Sequence, residues 1–160
     1  MQNRKQAGFS LIELLIVVAV ILIIAAIAIP NYLRAKGQAN EASVVQSLRI
    51  IQTSETAYAI NFPTVGYSAA LSNLGDGGAS PCTPSPAAAC LIDSLLATGV
   101  KDGYTITFNG DGGTPSFNYT LNADPFNRGT TGTRSFYSDY PGVIRYNQTA
   151  AAGPGDPALQ

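Results

Sequence analysis

Leu14 to Ile29 is a run of sixteen consecutive apolar residues, and from Phe9 onward only Ser10 and Glu13 interrupt it. From Phe9 to Ile29, as a helix rising about 1.5 Å per residue, it measures about 30 Å, the thickness of a bilayer's hydrocarbon. The segment before it, Met1–Gly8, carries Arg4 and Lys5 and no acid. The excess of positive charge keeps that end in the cytoplasm and sends the rest outward. A secretory signal peptide shares the basic start. Here the apolar run is too long for one, and Pro30, Asn31 and Tyr32 follow it instead of a small-residue cleavage site.

The rest of the composition narrows the function. The chain has 160 residues and no His, which removes the commonest general base, every Ser-His or Cys-His nucleophilic pair and every His-ligated metal site. Two Cys do not complete a four-ligand zinc site. With a net charge of −1 there is no electrostatic case for holding phosphate backbones. These features argue against an enzyme, against a small-molecule substrate and against a resident cofactor.

Gly8-Phe9-Ser10-Leu11-Ile12-Glu13-Leu14-Leu15-Ile16-Val17-Val18 resembles the processing motif of type IV pilins and type II secretion pseudopilins: a short basic leader ending in Gly, then Phe, Ser or Thr, Leu, Ile, Glu and an unbroken apolar helix. The resemblance covers about a fifth of the chain and names a superfamily, not a member of it. It implies that a prepilin peptidase cuts between Gly8 and Phe9 and methylates the new amine of Phe9. It also implies that the apolar helix is kept, and that Glu13 and Phe9 take part in assembly. Loss of the leader takes Arg4 and Lys5 with it, so seven basic side chains face ten acidic ones and the balance moves from −1 to −3. Two anchors that resist extraction of the helix from the membrane go with them.

Past Pro30 the pattern becomes amphipathic. Val44, Leu48, Ile51 and Tyr58 share one stripe with Leu33 and Glu55, while Arg34, Gln38, Arg49 and Gln52 occupy another face. The reading is a helix continuing to about Ile60, in total 52 residues and roughly 78 Å if straight. Pro30 should kink it, since it lacks an amide and crowds the carbonyl four residues back. Gly37 is a second weak point. The family resemblance implies that the Pro30–Gly37 segment melts during packing; a static kink is the alternative.

Asn61 to Gly99 is rich in Gly, Pro, Ser and Ala. Ser80–Pro86 reads as a rigid surface loop, with Ser85 capping a three-turn helix that Gly99 stops. Cys82 would sit in the loop and Cys90 in the helix. In an exported chain such an isolated pair is most simply a disulfide, stabilising by about 2.5 kcal/mol on the chain-entropy model. Many type IV pilins enclose their C-terminal region with the disulfide, and this placement departs from that. Downstream, Tyr104, Ile106 and Phe108 alternate with polar residues, as do Phe117, Tyr119 and Leu121. Ser135–Ser138 and Val143–Tyr146 form a second pair.

The expected fold class is α+β and pilin-like: a long N-terminal helix packed on a four-stranded antiparallel sheet. The expected organisation is a leader over 1–8, a membrane or filament-core helix over 9–30, an amphipathic half over 31–61 and a head over 62–160. Within the head, 62–101 is a connecting loop with a short helix, 102–147 the sheet and 148–160 a loose tail.

Other sites have plainer explanations. Asp111, with Asp102 and Asp124, invites comparison with the calcium sites of some major pseudopilins, but the loop lacks the calcium-loop arrangement, and turn chemistry explains it. No metal site is therefore assigned. Asn118-Tyr-Thr120 and Asn147-Gln-Thr149 match the short glycosylation pattern, and Thr83 and Ser85 could carry sugar. The eight Tyr and six Phe raise the idea of a conducting filament, though core packing accounts for them.

The resemblance thus implies a structural subunit, first in the inner membrane as a prepilin and then in an extracellular type IV pilus serving adhesion, surface motility or DNA uptake. Its partners would be copies of itself, the prepilin peptidase and a pilus or secretion assembly platform. The alternatives are the major pseudopilin of a type II secretion system and a membrane-tethered binding module that never polymerises.

Overall fold

The computed structural model describes residues 9–159. Helix α1 runs Leu11–Asn61 and passes through Pro30. The chain divides into two compact units between Ala35 and Lys36. In the first, every side chain from Phe9 to Ile29 is exposed except Ala25, which is half-buried. Leu33 also belongs to this unit and is exposed.

The second unit is the head. Its part of α1 presents one buried stripe: Gly37, Glu41, Val44, Ser47, Leu48, Ile51, Ser54, Glu55 and Tyr58. The alternating three- and four-residue spacing keeps them on one face. After α1 come a 3-10 turn at Leu71–Leu74 and a one-turn helix α2 at Ser94–Ala97. Five strands follow: β1 Val100–Lys101, β2 Tyr104–Gly110, β3 Tyr119–Pro125, β4 Ser135–Asp139 and β5 Arg145–Asn147. They form one antiparallel sheet in chain order, with Ile106 opposite Ala123 and Ala123 opposite Phe136. Tyr104, Ile106, Tyr119, Leu121, Ala123 and Phe136 share a single core with the α1 stripe, so the class is α+β and pilin-like.

The details depart from expectation in four places. The sheet has five strands, not four, because the two-residue turn Asp102-Gly103 folds β1 back onto β2; both residues have positive φ (48° and 76°), the conformation of a type I′ hairpin. Secondly, α2 begins at Asp93, not Ser85. The Asp93 carboxylate accepts the Leu96 amide at 2.8 Å, and the segment from Ser85 instead folds back through paired amides with Ala88. Gly99 does stop α2, at φ +74°, where a Cβ would come within 2.6 Å of the Ile106 carbonyl. Thirdly, Phe117 and Val143 lie outside the strands and are exposed.

Finally, the 148–159 segment is fastened, not loose. The Arg128 guanidinium donates to the carbonyls of Thr133, Gln148 and Ala150 and to the Ser135 hydroxyl, and Asn122 donates to the Ala152 carbonyl. Ala152 is buried. The run of Ala, Gly and Pro suggests slack, but the groups that fix it are its backbone carbonyls, to which composition is blind.

Candidate functional site

Gly8 lies outside the described residues. Phe9 is 91% exposed, directly ahead of the first turn of α1. A helix leaves its first amides unpaired, and here the Glu13 carboxylate turns back and accepts the Ser10 amide at 2.9 Å. The first helical bond runs from the Leu14 amide to the Ser10 carbonyl at 3.3 Å. Ser10-Leu-Ile-Glu13 therefore has the spacing and half of the bonding of a capping box, in which the third helical residue reaches back to the amide of the cap. In hydrocarbon an unpaired amide has no water to turn to, so closing the first turn matters more there than at a wet surface. Glu13 thus has a role inside its own helix beside any role between helices. The Ser-x-x-Glu spacing of a capping box is the signal in the sequence that carries that role.

From Leu14 to Ile29 the helix is apolar on every side, and its side chains are exposed apart from the half-buried Ala25. It is long and apolar enough to cross a membrane. Such a surface must meet lipid or other apolar helices.

The head holds the other sequence-derived sites. Cys82 and Cys90 are joined as a disulfide, with Cα atoms 6.2 Å apart. Cys90 lies in a loop, with a positive φ of 59°, and not in a helix. The bridge closes the Gly- and Pro-rich loop. Its chain is also tied to the 3-10 turn, because the amides of Ala89, Cys90 and Leu91 donate to the carbonyls of Asn73, Gly75 and Leu74.

The Asp111 carboxylate is spent on its own loop: one oxygen accepts the Gly113 amide at 2.9 Å, the other the amides of Phe117 and Asn118 at 2.9 and 3.0 Å. These bonds, that from Gly113 foremost, hold its pKa down to about 2. Asp102 accepts the Ser43 hydroxyl, and no group of three potential metal ligands occurs among the described residues. Of the two acceptor-like asparagines, Asn147 has its amide engaged with Thr149, Ala150 and Asp156, whereas Asn118 is exposed. Phe108, Tyr119, Tyr67 and Tyr140 form a row with successive ring centroids 5.6, 5.0 and 5.5 Å apart, which runs from the buried Tyr119 out to the exposed Tyr140.

The stripe pattern places Glu55 but gives it no role, and it does not single out Glu41. Glu41 accepts the amides of Thr133 and Arg134 at 2.7 and 3.0 Å and pairs with the Arg134 guanidinium at 2.7 Å. Arg134 in turn lies over the rings of Phe136 and Tyr146. Glu55 is fully buried and accepts both the amide and the hydroxyl of Ser68.

Residues 3–29 match the prokaryotic N-terminal methylation motif. The chain is 39% identical over 56 residues to the type IV major pilin protein PilA of Myxococcus xanthus, a match covering 35% of this chain and 26% of that protein. It is 45% identical over 76 residues to the type IV wide pilus major component PilA4 of Thermus thermophilus, covering 47% of this chain and 56% of that one. The matches thus span between about a quarter and somewhat over half of those relatives' length. No solved structure matches. A methylation motif at the start of an apolar helix, an antiparallel sheet packed on the second half of that helix, and likeness to two pilins make this chain similar to the type IV pilins.

Proposed function

We propose that the chain is a non-enzymatic structural subunit that polymerises through the N-terminal part of α1 into a type IV pilus. The observation that carries this is the exposure of the uninterrupted apolar run Leu14–Ile29 within the matched methylation motif. A peptidase that cuts between Gly8 and Phe9 leaves that surface attached to the head, first within the inner membrane and then, on an assembly platform, against copies of itself. Cutting needs a small side chain at Gly8, and methylation falls on the new amine of Phe9. Glu13 would pair with the Phe9 amine of a neighbouring subunit, which offsets the cost of burying each charge and sets the stagger of otherwise featureless helices. The Pro30–Gly37 segment would loosen as subunits pack.

Both relatives are named as pilus components, which favours a pilus over a secretion pseudopilus. Adhesion, surface motility and DNA uptake are the roles open to such a filament on the cell surface. Mass spectrometry of filaments sheared from cells tests the reading: it expects this chain as the main component, starting at N-methylated Phe9. Filaments without it, with the chain left as a monomer in the membrane, would make it a tethered module instead.

A further inference from the structure

The sheet has two edges, and both are blunted. β1 is only two residues long and ends in Lys101. The other edge, β5, is covered by the 148–159 segment. The Tyr146 amide donates to the Pro157 carbonyl at 3.1 Å, and the Leu159 amide donates to the Ile144 carbonyl at 2.7 Å, with Arg145 facing Ala158 in an antiparallel bridge. Side chains fasten the same stretch: Arg145 donates to the Asp156 carbonyl at 2.8 Å, and Asn147 to the Asp156 carboxylate at 3.0 Å. Asp156 also accepts the Gly153 amide at 2.8 Å. Pro154 and Pro157 have no amide, so the segment covers an edge without offering a long new one.

We propose that Thr149–Leu159 is an edge cap, occupying the strand-pairing positions of β5 that would otherwise take the β5 edge of a second copy. An uncovered edge is a row of unpaired amides and carbonyls, and the most similar edge available to it is its own. Two β5 strands paired antiparallel would be related by a twofold axis, which closes a dimer. A filament grows instead by a repeated head-to-tail contact, so a dimer closed through the sheets would withdraw subunits from it. That last step rests on the filament reading; the capping itself does not.

The test uses the full chain in detergent micelles, where filament growth plays no part. In the wild-type protein the Tyr146 and Leu159 amides should exchange with deuterium about a hundredfold or more slower than in a free peptide of residues 144–159. Exchange at the peptide's rate would overturn the cap. The double substitution Asp156→Ala, Leu159→Gly should release the segment, expose the Tyr146 amide and shift sedimentation from the wild-type species to a dimer. The 149–159 peptide added in trans should reverse that shift. A variant with its Tyr146 amide exposed that sediments as wild type, or a dimer that ignores the peptide, would overturn the proposal. Leu159→Ala alone carries the same expectations, in weaker form, should the double variant not fold.

Discussion

Glu41 and Glu55 lie on the same buried stripe of α1, about four turns apart, and the head shifts them in opposite directions. Burial works against the charge of both. At Glu41 the amides of Thr133 and Arg134 and the Arg134 guanidinium together outweigh it and hold the carboxyl below its ordinary range. At Glu55 burial wins: the Ser68 hydroxyl and amide oppose it but supply no counter-charge, and the carboxyl is pushed up. One acid is therefore kept as a clasp between helix and sheet. The other is kept as a buried polar group.

Replacing Glu41 with Ala leaves the Thr133 and Arg134 amides and the guanidinium without their acceptor. Hydrogen bonds to charged groups contribute about 1.5–3 kcal/mol each, so thermal or urea unfolding of the head should show a loss of at least that order. Because the folded-state pKa is depressed, the Glu41 contribution is fully present above the unfolded carboxyl value of about 4.3 and is lost as pH falls through the lower folded value. Arg134→Ala should show the same acid weakening already at neutral pH.

Glu55→Gln should move the other way. With its folded pKa raised, Glu55 favours the folded state most below about pH 4.3, and that advantage is lost as pH rises from there through the higher folded value. A glutamine still accepts from Ser68 and has no charge to bury. The variant's melting temperature should equal or exceed wild type at neutral pH, with a flatter profile on the acid side of neutrality. A variant clearly less stable at neutral pH would mean that the ionised carboxylate is what the head needs.

Much of this was legible in the residues, and the failures have physical causes. Sixteen uninterrupted apolar residues fix a helix, and the stripe through Val44, Leu48, Ile51 and Tyr58 fixes its buried face. Asp102-Gly103 is a hairpin signature that alternation alone passes over, because a two-residue strand shows no period. Asp93 caps α2 in place of Ser85-Pro86: the amides of Ala89, Cys90 and Leu91 are bonded to carbonyls of the 3-10 turn and Cys90 has a positive φ of 59°, so no α-helix runs through residues 89–91. The fastening of residues 148–159 depends on Arg128 and Asp156 meeting backbone carbonyls and amides, a matter of tertiary placement.

Asp111 gives a direct check on metal binding. Its carboxylate already closes the 111–118 loop, and with a pKa of about 2 it stays ionised and bonded down to roughly pH 3. Adding calcium or a chelator should leave the melting temperature unchanged. Asp111→Ala should speed amide exchange at Gly113, Phe117 and Asn118. A calcium-dependent rise in melting temperature that vanishes with this substitution would reverse the assignment.

Gly37 is buried, but a Cβ there would meet only the Thr130 carbonyl at 3.8 Å and the Gly132 Cα at 3.9 Å, ordinary contact distances. Gly37→Ala should therefore fit and stabilise the helix by up to about 1 kcal/mol, read from thermal unfolding. If the Pro30–Gly37 segment has to loosen during packing, the same substitution should yield fewer filaments despite the more stable subunit. Normal filament numbers would favour the static kink.

The two roles of Glu13 can be separated by one atom. As a cap it needs only an acceptor for the Ser10 amide, and Gln supplies that acceptor as well as Glu does. As a partner for a neighbouring Phe9 amine it needs its charge, which in a membrane helix costs about 2.5–3.5 kcal/mol and is retained only where something uses it. Glu13→Ala removes both roles and should give inserted, processed and folded protein that assembles few filaments. Glu13→Gln keeps the cap and removes the charge. If pairing between subunits sets the stagger, filament yield from a strain expressing only Glu13→Gln should be as low as for Glu13→Ala; full-length filaments at wild-type yield would leave the cap as the reason the carboxylate is there.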